Sequence, residues 1–207
     1  YRHRFKSGAN MSESKYFIEI GTSDFDTFEH LAERGWKGIF VEPVKELLDN
    51  LKRYDGCIYE NCAVLDKMDT MTLKYYDPEW AEGWKRGVGS ISPINTFNLH
   101  NKSGLHQKHV LTREVDVVTL DYLIKKHNVK KIDYLKIDIE GLEYRILDDY
   151  SWDIKPDTLK VEYKHWRTHW NGTGRGRKNN ITEYIKKLES MGYSVTRDLQ
   201  DLLAVLK

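Results

Sequence analysis

The sequence predicts an α/β fold: a mostly parallel seven-stranded sheet with helices on both faces and an antiparallel hairpin at its C-terminal end. Three observations carry that expectation. Apolar runs of strand length alternate with stretches whose apolar residues recur at helical spacing. The first run, Tyr16 to Ile20, breaks at Gly21, as a strand does when it turns sharply into a helix. The last two runs, Tyr193 to Thr196 and Leu202 to Leu206, are too close for the helix a parallel crossover requires. They pair as a hairpin or lie apart.

Each element has its own signal. Phe25, Phe28, Leu31 and Ala32 fall at helical spacing before Gly35 stops the first helix. Gly38 to Val41 is the second strand, and Pro43 opens a helix with Leu47, Leu48 and Leu51 on one face. Cys57 to Val64 reads as a third strand, and Met71 to Tyr76 as a short hairpin strand. Asp77 to Lys102 is irregular, with Gly83, Gly87, Gly89, Trp80 and Trp84. Val115 to Leu120 is extended and Leu120 to His127 helical. Tyr134 to Ile139 is a strand entering Glu140-Gly141, followed by a helix that buries Leu142, Ile146 and Leu147. Leu159 to Tyr163 is another strand, residues 171–180 are a polar loop, and Ile181 to Met191 is a helix.

With 207 residues and 40% apolar content, the chain can bury one sizeable core, and no linker divides it. A single domain over 1–207 is expected, with 1–15 an N-terminal extension and 77–114 an irregular insert near the active site. The chain begins at Tyr1 rather than Met, as does a domain cut from a longer polypeptide. Lys plus Arg number 33 against 32 for Asp plus Glu, so a net charge of +1 gives no general pull toward nucleic acid or anionic membrane. Cys57 and Cys62 are too few for a disulfide framework and read as packed strand residues. No apolar run approaches the roughly eighteen residues a membrane span needs. The expectation is a cytoplasmic protein; its oligomeric state is not legible. Asn-x-Ser/Thr sequons at Asn10, Asn101, Asn171 and Asn180 are read as chance matches.

The first turn narrows the ligand. Glu19 precedes Gly21-Thr22-Ser23-Asp24, and a second acid, Glu42, ends the next strand before Pro43. Dinucleotide binding wants three glycines here, and only Gly21 is present; nor is there a Gly-Lys-Ser/Thr phosphate loop. An acid-flanked turn suits a ligand without phosphates. S-adenosylmethionine (SAM) fits, with a cationic sulfonium and ammonium and two ribose hydroxyls for a carboxylate such as Glu42. The competing reading is that Glu19 and Glu42 cap strands and face solvent.

The segments FIEIGTSDFDTF, FVEP at Phe40 to Pro43, and VDVVTLDYLIKKHNVKKIDYLKIDIEGLEYRIL from Val115 to Leu147 resemble the FkbM family of methyltransferases. Its hallmark strand and turn, Leu-Lys-Ile-Asp-x-Glu-Gly, matches Leu135 to Gly141, and the similarity spans roughly residues 16 to 163. The resemblance implies a Rossmann-like class I fold and SAM-dependent O-methylation of sugar or polyketide hydroxyls. It further implies adenine contacts at Asn61 and Ala63, with Asp66 following, and places Ser90 near the methionine end of SAM. The family's usual Gly-Ala-Asn-x-Gly turn is Gly21-Thr22-Ser23-Asp24-Phe25 here. Viral and environmental branches are similar in that variant, including domains fused to glycosyltransferases that build viral glycans, for which the compartment is the host cytoplasm.

Methyl transfer to a sugar hydroxyl needs an aligned acceptor oxygen and a group to take its proton. Asp138 is the first candidate base, with Glu140 beside it; the alternative is that either acid caps the next helix. Lys136 alternates in phase with Asp138, to pair with an acid or face the cleft. Glu162, on the neighbouring strand, together with Asp138 offers hard oxygen ligands for Mg²⁺ or Mn²⁺. His165 is an alternative base, set against a plain surface histidine. Trp80, Trp84, Trp166 and Trp170 offer faces for a sugar ring or ordinary packing. Arg175 to Lys178 reads as a solvated loop. The leading expectation is a carbohydrate O-methyltransferase. Its rivals are a nucleic-acid methyltransferase, which the neutral charge disfavours, and a non-catalytic SAM-binding module.

Overall fold

A computed structural model describes residues 14–25, 27–91, 107–164 and 181–207. In chain order the elements are β1 (Tyr16–Ile20), α1 (Glu29–Ala32), β2 (Lys37–Val41), α2 (Lys45–Asn50), β3 (Cys57–Glu60), β4 (Ala63–Val64), β5 (Asp69–Tyr76), β6 (Gly89–Ser90), β7 (Val110–Val118), α3 (Leu120–Lys126), β8 (Tyr134–Ile137), α4 (Glu143–Asp149), β9 (Thr158–Glu162), α5 (Ile181–Ser190), β10 (Tyr193–Arg197) and β11 (Asp201–Leu206). Short 3₁₀ turns cover Gly83–Gly87 and Gln107–His109.

The fold is α/β, built on a mixed seven-stranded sheet of order β10-β11-β9-β8-β1-β2-β3. From β9 to β3 neighbouring strands are parallel, whereas β11 runs antiparallel to both β9 and β10. The C-terminal hairpin expected from its short connection is present. Central β1 is buried on both faces, which explains its nearly unbroken apolar sequence. Ile18 and Ile20 pack with Ile39, Leu135, Ile137 and the leucines of α3 and α4, while Phe17 packs with Phe28, Phe40 and Leu48 on the other face.

One charged pair sits inside this apolar frame. Glu19 and Lys136 are register partners on β1 and β8, and Lys136 Nζ donates to Glu19 Oε1 at 3.0 Å. Glu19 Oε2 accepts the Phe28 N–H at 2.9 Å, so the same carboxylate fixes where α1 begins. Phe25 therefore lies before the helix, 41% exposed, and not on its buried face as the spacing predicted.

Two other expectations change. Cys57 to Val64 is not one strand: after Glu60 the chain turns, because the Asn61 amide donates to the carbonyls of Glu42 at 2.8 Å and Pro43 at 3.0 Å. Ala63–Val64 then enters a second, four-stranded sheet of order β4-β7-β5-β6. Nor is the stretch 77–114 irregular throughout, since Val110 to Glu114 is the first half of β7, paired antiparallel with the whole of β5. Polar residues such as Thr112, Arg113 and Glu114 hide a strand whose partner is some forty residues earlier. One face of this small sheet packs Leu73, Tyr75, Val115 and Val117 against Val44 and Leu47.

Among the described residues no helix is long and apolar enough to cross a membrane. Cys57 and Cys62 are free thiols, Cys62 buried and Cys57 half-buried.

Candidate active site at the carboxyl ends of the central strands

Chain order runs outward from β1 to β3 on one side and from β8 to β9 on the other, so the strand order reverses between β1 and β8. In open α/β sheets the crevice beyond the carboxyl ends at such a point is where ligands bind. A cavity lies there, enclosing about 610 Å³ with its open mouth included. Its walls come from Gly21 after β1, Glu42 and Pro43 after β2, Ala63 in β4, and Asp138 and Glu140 after β8. A lip, Arg86 to Ile91, closes it from the second sheet and includes Ser90.

Gly21 adopts φ of 78°, and a Cβ there would lie 1.8 Å from the Asp138 carbonyl oxygen. Only glycine lets the ends of β1 and β8 approach this closely. The N–H groups of Gly21 and Thr22 both donate to the Val41 carbonyl, at 3.0 and 3.2 Å, which ties the turn to the end of β2.

Glu42 completes that tie. Its Oε2 accepts the Ser23 N–H at 2.8 Å and its Oε1 the Val44 N–H at 2.9 Å. Burial raises its pKa to about 7, against the lowering effect of those two N–H groups, with Asp24 and Glu19 pushing further upward. Each carboxylate oxygen keeps a lone pair for a further donor. Neither Glu42 nor Glu19 faces solvent.

Of the residues singled out from sequence, Gly21, Glu42, Pro43, Ala63, Ser90, Asp138 and Glu140 line the cavity. Glu19, Thr22, Ser23, Asp24 and Asn61 stand behind its walls. Glu19 is engaged by Lys136, Thr22 Oγ1 donates to the Glu19 carbonyl at 3.2 Å, and Asn61 holds the backbone of Glu42 and Pro43. Ser23 has φ of 52°, and its buried hydroxyl has no partner among the described residues. Asp24 pairs with Arg86. Asp66 forms a bidentate pair with Arg145 of α4, at 2.9 and 2.6 Å, so it joins the two sheets' connections. Trp80 is stacked on His109 at 4.1 Å with the Lys85 ammonium 4.9 Å from its ring centroid, which leaves it a poor sugar platform. His165, Trp166, Trp170, Arg175 to Lys178 and the four sequons fall outside the described residues, as does the side chain of Trp84.

Asp138 gathers two further acids. Carboxyl oxygens of Asp138, Glu143 and Glu162 lie within 4.8 Å of one another. Burial raises Asp138 to a pKa of about 7, with Glu162 the next contributor, and burial raises Glu143 to about 8. The next helix has Leu142 at its N-cap with no side-chain cap bond, and Glu143 instead braces the turn before it: its Oε1 accepts the N–H groups of Ile139 at 2.9 Å and Gly141 at 3.0 Å. This bracing holds Glu140 at φ of 62° and Gly141 at 107° in the turn. Backbone strain of this kind concentrates at functional sites. Sequence reasoning passed over Glu143; an acid in the first turn of a helix, reaching back to preceding N–H groups, was the available signal.

The model for the methyltransferase FkbM domain matches residues 8–195. The chain belongs to the FkbM methyltransferase family. The match covers both carboxylate-bearing turns and every cavity wall just described, and ends within β10. A comparison with curated proteins finds no match. An FkbM domain is a methyltransferase, and the mixed α/β sheet is consistent with that assignment.

Proposed function

We propose that this FkbM domain is a single, Rossmann-like class I methyltransferase domain that transfers a methyl group from SAM to a carbohydrate hydroxyl, on a glycan sugar such as a deoxyhexose of the rhamnose type. The observation that carries the reading is that two acids, Glu42 after β2 and Asp138 after β8, line one cavity at the carboxyl ends of the central strands. One suits ribose hydroxyls and the other a proton acceptor.

The donor set fits SAM. Glu42 presents buried carboxylate oxygens, Cys62, Ala63, Val64 and Leu73 offer an apolar slot for adenine, and acids outnumber bases along the walls, as a doubly cationic ligand requires. When bound, SAM supplies a methyl carbon activated by its sulfonium. With S-adenosylhomocysteine as the leaving group when the methyl carbon–sulfur bond breaks, Asp138 would take the acceptor's hydroxyl proton, and a pKa raised by burial to about 7 would leave it partly deprotonated yet basic at neutral pH. Glu143 holds the turn that presents Asp138, and Glu140, on the cavity wall, would accept a hydrogen bond from a neighbouring hydroxyl of a polyol. Asp138, Glu143 and Glu162 also form the oxygen donor set that would hold a Mg²⁺ or Mn²⁺ ion.

The test combines calorimetry with a turnover assay by mass gain on hexose and deoxyhexose glycosides. Binding of S-adenosylhomocysteine with methylation of a glycoside supports the reading. No binding at sub-millimolar concentration removes SAM; binding with methylation confined to RNA or DNA removes the carbohydrate.

A further inference from the structure

Arg86 is the one basic side chain among the described residues that line the cavity, against the acids Glu42, Asp138 and Glu140. It lies within the Gly83–Gly87 turn, at the start of the lip, and reaches back to the turn after β1. Its Nε donates to Asp24 Oδ1 at 2.9 Å, its Nη2 to Asp24 Oδ2, and its Nη1 to the Pro78 carbonyl at 2.8 Å. Asn50 adds a 2.9 Å bond to Asp24 Oδ2. Burial pushes the Asp24 carboxyl up, but the hydrogen bonds from Arg86 and Asn50 outweigh it and hold the group below the usual carboxylate range. Asp24 therefore stays charged and keeps the guanidinium in place.

This pairing does not exhaust Arg86. A guanidinium carries five N–H donors, and the contacts above use one on each nitrogen, leaving one on Nη1 and one on Nη2. Arginine recognises planar carboxylates through such paired donors. Gly21, Asp138 and Ser90 border the same cavity as Arg86, and the apolar slot at Ala63 and Val64 lines another part of its wall.

Building on the SAM reading, we infer that Arg86 anchors the α-carboxylate of the cofactor's methionine moiety, with Asp24 holding the guanidinium ready for it. The cavity thus reads both signs of charge on one ligand: acids face its cationic groups, and the single base faces its carboxylate. The Asp24 of the first turn then acts on the cofactor through Arg86 rather than by direct contact.

Calorimetry on the full chain tests this with S-adenosylhomocysteine and its decarboxylated analogue, S-adenosyl-3-thiopropylamine, which keeps the adenosine, thioether and amine. Arg86→Met is expected to weaken the first by about tenfold to a hundredfold, and the second by less than about threefold. Equal losses for both ligands, or an unchanged affinity for the first in a cooperatively melting variant, would overturn the anchor. If Arg86→Met does not fold, Arg86→Gln carries the same comparison, because it removes the charge while keeping an amide donor for Asp24. Wild-type protein that binds both ligands equally removes only the anchor. Wild-type protein that binds neither removes the SAM reading, and the anchor falls with it.

Discussion

Lys136 and Glu19, adjacent on β8 and β1, form an ion pair at 3.0 Å in the middle of the sheet, with side chains 6% and 0% exposed. Burying two charges is costly, and their attraction offsets it only while both are present. Lys136→Met should therefore destabilise the domain by roughly 3–5 kcal/mol, and adding Glu19→Gln should restore part of the loss. Urea unfolding of both variants measures it. Additive losses would mean the two residues act separately.

Glu42→Gln keeps an acceptor for one of the two backbone N–H groups but removes the carboxylate proposed to take the ribose hydroxyls. S-adenosylhomocysteine affinity should fall by about tenfold or more. Calorimetry that returns wild-type affinity would place the ribose elsewhere.

The same residue shapes pH stability. Its folded pKa of about 7 exceeds the ordinary 4.5, so the folded state holds the proton more tightly. That contribution is complete below pH 4.5 and is lost as pH rises through 7, amounting to at most about 3 kcal/mol. Relative to wild type, ligand-free Glu42→Gln should gain melting temperature between pH 5 and pH 9. A constant difference across that range would show that Glu42 titrates normally.

Asp138→Asn should leave S-adenosylhomocysteine binding within about threefold and lower turnover by roughly 10²–10⁴-fold. Retained turnover would move the base to another acid of the turn or to His165.

If Asp138, Glu143 and Glu162 hold an ion, added Mn²⁺ should raise the melting temperature of the wild type and not of Glu162→Gln, and EDTA should lower turnover. No shift and an undiminished rate would assign the acids to proton handling alone.

The parallel core was legible because its strands are buried on both faces and read as short apolar runs. Gly21, Glu42 and Asp138 were legible because each directly follows the apolar run of a strand, where the chain turns. The second sheet was not, since β7 begins in Val110 to Glu114, a largely polar segment that becomes a strand by pairing with a distant β5. Arg86 and Glu143 were missed for a related reason. Arg86 reaches Asp24 across 62 residues, and Glu143 matters through a turn whose shape the sequence does not display.

What the sequence determined by itself was local: which runs form strands, where the first turn breaks, and which turns carry acids. Those follow from side-chain periodicity and from backbone freedom at single residues. Only the tertiary structure decided which acids face the cavity. Side chains on neighbouring parallel strands meet by register, and that register put Glu19 against Lys136 inside the sheet. It left Glu42 and Asp138 at the carboxyl ends of their strands, where the order reverses and the crevice opens.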